Sequence, residues 1–202
     1  MKKIVALDAD GVLLDYNRAY AGVWQQIFGA YPKEKDPHAY WALDRWDIER
    51  LNGDQLIRFR AKFDEGFWES VPAMPGAVDA CLKLNDAGFS LVCVSALSER
   101  FAPARLRNLH QLGFPIEAVI ATGKLMVGKS PKVDALHELS PVAFVDDYLP
   151  YMEGVHSRIH TALILRDPNG SPNTGDALHN ISSTHGCLSE FSDWWLEHRA
   201  SS

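Results

Sequence analysis

The stretch Lys3-Ile4-Val5-Ala6-Leu7-Asp8-Ala9-Asp10-Gly11-Val12 decides the fold. Its apolar residues run without alternation and stop abruptly at a carboxylate. A strand buried on both faces reads this way, because a parallel sheet is covered by helices on each side and has no solvent face. Similar short runs recur at Leu91-Val92-Cys93-Val94, Ala118-Val119-Ile120, Val142-Ala143-Phe144-Val145 and Ala162-Leu163-Ile164-Leu165. Helix-like segments lie between most of them. Pro75-Gly76 opens one that carries Val78, Cys81, Leu82 and Leu84 and stops near Gly88. Ser130 reads as an N-cap with Pro131 as the first helical residue, ahead of a stripe of Val133, Leu136 and Leu139. Strands alternating with helices predict a doubly wound α/β fold with a parallel sheet.

One stretch breaks the alternation. From Tyr16 to Val71 no strand pattern stands out, and helices are expected over Tyr20 to Phe28 and Gln55 to Phe63. The stretch holds four of the six tryptophans, Trp24, Trp41, Trp46 and Trp68. Pro72 and Pro75 bracket the return to the sheet. The expected organisation is a core of residues 1–15 and 72–202 with an all-helical domain, residues 16–71, inserted after the first strand. Most aromatics among Trp24, Phe28, Trp41, Trp46, Phe63, Phe67 and Trp68 read as that domain's own core, with some left to stack on a base or sugar. Arg18, Arg45, Arg58, Arg60 and Lys62 read mostly as a solvated face that could include a substrate anchor.

The composition narrows the partners. The chain has 202 residues, 47% hydrophobic and 23% charged, with a net charge of -6. An acidic balance argues against binding a nucleic-acid polymer, which needs a basic surface, but leaves a small nucleotide open as substrate. The apolar run before Asp8 is too short for a secretory signal, and no run reaches the length of a membrane span. No membrane partner is expected, and the cytoplasm is the expected location. Cys81, Cys93 and Cys187 form no CxxC pair and read as free, buried thiols. The turn formers of Asp167-Pro168-Asn169-Gly170-Ser171-Pro172-Asn173 read as a surface loop. Trp194-Trp195 reads as the anchor of a terminal helix, and His156, His160, His179 and His185 lack metal-ligand spacing. Oligomeric state is not legible here.

The chemistry collects at strand ends, where open α/β sheets bind ligands. Asp8 and Asp10, with Gly11 next, can face one cavity if the chain turns as it leaves the strand. One carboxylate could attack phosphorus and the other could shuttle the proton. The bland alternative is an acidic turn. Asp146-Asp147 ends a second strand in Ala-Phe-Val-Asp-Asp. Two acidic clusters in one cleft repel each other unless a cation sits between them, and a hard ion such as Mg²⁺ prefers carboxylate oxygen. Asp8, Asp10, Asp146 and Asp147 are therefore the candidate metal set. Ser95 ends the run Val-Cys-Val-Ser and could hold a phosphate oxygen; Lys129 and Lys132 flank Ser130-Pro131 and could neutralise phosphate or the nucleophile.

The ordered series of Asp-x-Asp, Ser, Lys and Asp-Asp resembles the haloacid dehalogenase superfamily over residues 3–14 and 73–165. The resemblance implies a Rossmann-like core. It implies Asp8 as nucleophile, Asp10 as acid/base, Ser95 as the phosphate-binding hydroxyl and Asp146-Asp147 as the metal-binding motif. Lys132 to Leu136 is similar to the family's Lys-x-x-x-Leu helix start, with Lys129 the alternative. An acid at Asp10 favours phosphoryl chemistry over dehalogenation. The helical insert is similar to the family's C1 cap. The implied activity is Mg²⁺-dependent hydrolysis of a small phosphomonoester. Phosphotransfer or mutase chemistry on the same aspartyl-phosphate is one alternative, and a noncatalytic module another. The opening Asp8 to Tyr16, Phe67-Trp68 and Pro75-Gly76-Ala77-Val78 are also similar to 5'(3')-deoxyribonucleotidases, but Ala96-Leu97 stands where those carry a Ser-Pro pair.

Overall fold

The computed structural model describes residues 2–123 and 130–199. Among these residues, six strands form one sheet: β1 (Ile4–Leu7), β2 (Ser90–Ser95), β3 (Ile116–Ala121), β4 (Ala143–Asp146), β5 (His160–Ile164) and β6 (Ser183–His185). Their order is β3-β2-β1-β4-β5-β6, and every pairing is parallel. The apolar runs are continuous because alternate residues serve opposite faces. Val5, Leu7, Leu91, Cys93, Ala143 and Val145 enter one core layer. Ala6, Val92, Val94 and Phe144 enter the other. The five predicted strands are all present. β6 escaped prediction because a three-residue edge strand, Ser-Thr-His, carries no apolar run.

Among the described residues, eight α-helices cover the sheet and fill the insert. Four lie in the insert that follows β1: α1 (Tyr16–Phe28), α2 (Ala42–Arg45), α3 (Gly53–Ala61) and α4 (Glu65–Trp68). They are followed by α5 (Ala77–Asp86), α6 (Ala102–Gln111), α7 (Val133–Leu139) and α8 (Leu188–Arg199). Helix α1 starts where the Asp15 carboxylate accepts the N–H of Arg18 at 2.9 Å, and ends at Gly29 in a left-handed conformation. No strand lies between β1 and α5, as the sequence predicts for this stretch.

Helix α5 buries Ala77, Ala80, Cys81 and Leu84 and leaves Leu82 40% exposed. Two local expectations need correction. Helix α7 begins at Val133 rather than Pro131, since Ser130 forms a turn in which its Oγ accepts the N–H of Lys132 at 3.3 Å. Cys187 is half-buried, whereas Cys81 and Cys93 are fully buried. Trp195 is buried against Phe191 and anchors α8, as expected.

Candidate active site

The carboxyl ends of β1, β2 and β4 meet where the strand order reverses, so a crevice opens there. Asp8 still belongs to the ladder, donating its N–H to Val145 O at 2.9 Å. The chain then coils: Leu13 and Leu14 both donate to Ala9 O, at 2.9 and 2.8 Å, and Gly11 donates to Leu14 O at 2.8 Å. This coil brings both Asp8 and Asp10 to the wall of one cleft. Gly11 is required twice over. Its φ is +93°, and a Cβ there would stand 2.2 Å from Asp147 Oδ2.

Lys132 is fully buried at the start of α7 and donates to Asp8 Oδ1 at 2.5 Å and Asp146 Oδ2 at 2.6 Å. Asp146 is held on both oxygens, since Oδ1 accepts the N–H of Tyr148 at 2.9 Å. Asp147 Oδ2 accepts from Arg166 Nε at 2.6 Å, and its backbone carbonyl accepts from Tyr40 Oη at 3.1 Å and Asn173 Nδ2 at 2.7 Å. One oxygen each from Asp8, Asp146 and Asp147 lie within 4.8 Å of one another. Asp10 stands outside this trio. Its Oδ1 accepts from Arg105 Nη2 at 2.8 Å, which turns the carboxylate toward α6.

Burial dominates the electrostatics. It pushes the carboxyl of Asp146 well above the ordinary range, against the pull of Lys132, and that of Asp147 to about 6, against the pull of Arg166. Asp10 is raised by burial as well, opposed by Arg105. Burial disfavours the charge on Lys132, but Asp146 and Asp8 outweigh it and hold the ammonium above the usual lysine range. Three converging carboxylates, two held by Lys132 and the third by Arg166, form a hard-oxygen set that fits a small divalent cation. Asp8, Asp146 and Asp147 are the side chains that could hold it.

The cleft has a volume of about 570 Å³. Besides the acidic groups and Ser95, six aromatic residues line it: Tyr16, Tyr40, Trp41, Trp68, Tyr148 and Tyr151. A second cavity of about 580 Å³ lies within the insert beside Arg18 and Lys62, and none of these carboxylates borders it.

The family model for haloacid dehalogenase-like hydrolases matches residues 2–149. The chain belongs to this family. The haloacid dehalogenase-like hydrolase fold is shared with a hydrolase of that family from Deinococcus radiodurans R1, solved with bound phosphate and sodium. The TM-score is 0.65 at 16% identity, over 97% of this chain and 96% of that one. The defluorinating L-2-haloacid dehalogenase Rha0230 has a TM-score of 0.61 at 14% identity, over 96% of this chain and 94% of that one. A candidate beta-phosphoglucomutase from Thermotoga maritima has a TM-score of 0.59 at 21% identity, over 96% of this chain and 99% of that one. A search of curated proteins finds no match.

In this haloacid dehalogenase-like hydrolase, Asp8, Asp10, Ser95 and Asp147 line the cleft together, with Lys132 and Asp146 directly behind Asp8. Lys129 lies outside the described residues. Of the predicted cations in the insert, Arg18, Arg58, Arg60 and Lys62 are exposed, and none of the five lines the cleft. Arg45 pairs with Glu34 at 2.9 Å and with Asp167 at 3.2 Å. Sequence reasoning missed Arg105, Arg166, Tyr40 and Asn173. Arg166 alone had a signal, since it follows Leu165 at a strand end. The others sit in a helix or in turn-rich loops with no motif around them.

Proposed function

We propose that this hydrolase is a Mg²⁺-dependent phosphomonoesterase that works through an aspartyl-phosphate on Asp8. The observation that carries the reading is the pairing of roles in one cleft. Asp8 has one oxygen pinned by Lys132, and Asp10 lines the same cleft with 30% of its side chain exposed. The free oxygen of Asp8 attacks phosphorus while Asp10 gives its proton to the departing ester oxygen. Asp10 then takes a proton from water, which attacks the aspartyl-phosphate, releases inorganic phosphate and restores Asp8. Mg²⁺ held by Asp8, Asp146 and Asp147 would neutralise charge on the phosphoryl oxygens and the carboxylates. Lys132 holds Asp8 in place, and Ser95 offers a hydroxyl to the phosphate.

The leaving group we infer carries a planar ring, as in a nucleoside monophosphate, whose sugar hydroxyl departs with the base attached. Trp41 is 45% exposed at the cleft. It is nonetheless held in place: its Nε1 donates to Gly170 O at 3.0 Å, and Tyr40 and Tyr148 pack edgewise at 4.8 and 6.4 Å. An exposed ring already held by its N–H and by two neighbouring rings can serve as a stacking platform at little cost in entropy.

With Mg²⁺ the purified protein is expected to release phosphate from p-nitrophenyl phosphate. EDTA should abolish the release, and Asp8→Asn should remove it while the circular dichroism spectrum is retained. An Asp8→Asn variant as fast as the parent would sink the nucleophile assignment. A panel of nucleoside monophosphates and sugar phosphates tests the platform. A preference for nucleotides that Trp41→Ala erases is expected, and a flat profile would discard it.

A further inference from the structure

Helix α6 presents several polar side chains to the insert. Arg107 pairs with Glu65 and Glu69 at 2.6 and 2.9 Å. Asn108 Nδ2 donates to the carbonyls of Glu69 and Val71 at 3.0 and 3.1 Å. These contacts hold the end of α4 and the return to the sheet. Arg105, on the same helix, does something else. Its side chain is fully buried, its Nη2 donates to Asp10 Oδ1 at 2.8 Å, and its guanidinium carbon lies 5.0 Å from the ring centre of Trp68.

The remaining donors of Arg105 are the informative part. Nε and Nη1 are buried and have no hydrogen-bond partner among the described residues. Burying donors of a charged group without acceptors is unfavourable, so such a side chain calls for an explanation. Its two described partners are a carboxylate of the site and a tryptophan of the insert. Trp68 also lines the cleft. If Trp68 moved away, water could reach Nε and Nη1, and the guanidinium would no longer be confined to Asp10.

We propose that Arg105 is a positioning residue: with Trp68 seated on it, its guanidinium fixes the Asp10 carboxylate for proton transfer, so that seating of the insert and the acid/base step are coupled. The proposal rests on the phosphatase reading above. Arg105 occupies Oδ1 and leaves Oδ2 for the leaving oxygen. It does not touch the substrate, and it acts only through Asp10.

The test compares a poor with a good leaving group, because proton donation matters only for the poor one. Full-length protein with Mg²⁺ is assayed on an alkyl phosphate and on p-nitrophenyl phosphate. Asp10→Asn and Arg105→Met are both expected to lower kcat/KM on the alkyl ester, which reports formation of the aspartyl-phosphate and not its later hydrolysis, by about 10²-fold or more. The aryl ester should lose far less kcat/KM. Arg105→Lys, which restores the charge and one donor, recovers part of the loss. Trp68→Leu shows the same leaving-group dependence, and Arg105→Met/Trp68→Leu is no worse than Arg105→Met, because both act on one link. Equal losses on the two esters in Arg105→Met, or additive losses in the double variant, would overturn the proposal. If Arg105→Met does not fold, Trp68→Leu and Arg105→Lys decide by the same comparison. Should Asp10→Asn itself fail to discriminate, the acid assignment falls and the proposal with it. If the parent releases no phosphate from either ester, the phosphatase reading is what has failed.

Discussion

Lys132 and Gly11 are the residues on which the carboxylate cluster depends most. Lys132 sits at 0% exposure between Asp8 and Asp146, and removing a buried charge from such a group leaves its partners uncompensated. Lys132→Met is expected to cost about 3–5 kcal/mol of stability. Urea unfolding in EDTA measures this, and the deficit should shrink when Mg²⁺ is added. Gly11→Ala tests a different constraint. A left-handed φ costs alanine about 1–2 kcal/mol. The new methyl also meets Asp147 Oδ2 and the Nε of Arg166, the latter at 2.6 Å. The variant should keep its fold and lose Mg²⁺ affinity, read by calorimetric titration. Unchanged affinity would mean that Asp147 has room to retreat.

At the element scale, the segment before α2 is tied to the loop after β5. Tyr40 N donates to Asn169 O at 2.9 Å, and Asn169 N donates to His38 O at 3.0 Å. Asp167 has a φ of +45° and is flanked by Arg45 and Arg166 at 3.2 and 2.8 Å. The loop read from its turn formers as surface is therefore partly structural, and Asn173 at its end is buried. Asn173 accepts the N–H of Leu149 at 2.8 Å and donates to Asp147 O, so it braces the residues after β4. Asn173→Ala leaves a buried donor unmet and should destabilise by about 1–3 kcal/mol. Thermal and urea melts check this. A smaller loss of Mg²⁺ affinity should accompany it, because the Asp147 backbone loses one of its two anchors.

Across the whole molecule, the carboxylates set a dependence of stability on pH. Asp147 rises from 3.8 to about 6 through burial, and Asp146 is raised well above the ordinary carboxylate range by the same cause. Between these values the native protein holds protons that the unfolded chain has released. Stability therefore falls as pH rises through that window, and the penalty stays in full above it. A bound cation offsets the same repulsion, while at low pH it must compete with protons. Mg²⁺ should raise Tm more at pH 7.5 than at pH 4.5, which scanning calorimetry at both values checks. An equal shift at both would place the ion elsewhere. No helix among the described residues is long and apolar enough to cross a membrane.

What the sequence determined by itself was local. Continuous apolar runs such as Ile4 to Leu7 and Val142 to Val145 marked strands buried on both faces. Carboxylates directly after them, Asp8 and Asp146-Asp147, marked the active end of the sheet, since strand ends need no partner to be read. Lys132 was named, but its seat between Asp8 and Asp146 depends on parallel pairing across 124 residues of separation from Asp8. Tertiary structure alone decided that Asp10 pairs with Arg105, 95 residues away, and that Trp41 is a rim residue rather than part of the insert's core. The periodicity of α6 and the composition of residues 36–41 carry no record of what they will face. Contacts between distant segments are chosen by packing of the whole chain. Asp8 and Asp10 could thus be found from one short stretch, but the groups that aim and charge them could be found only once the chain had closed around them.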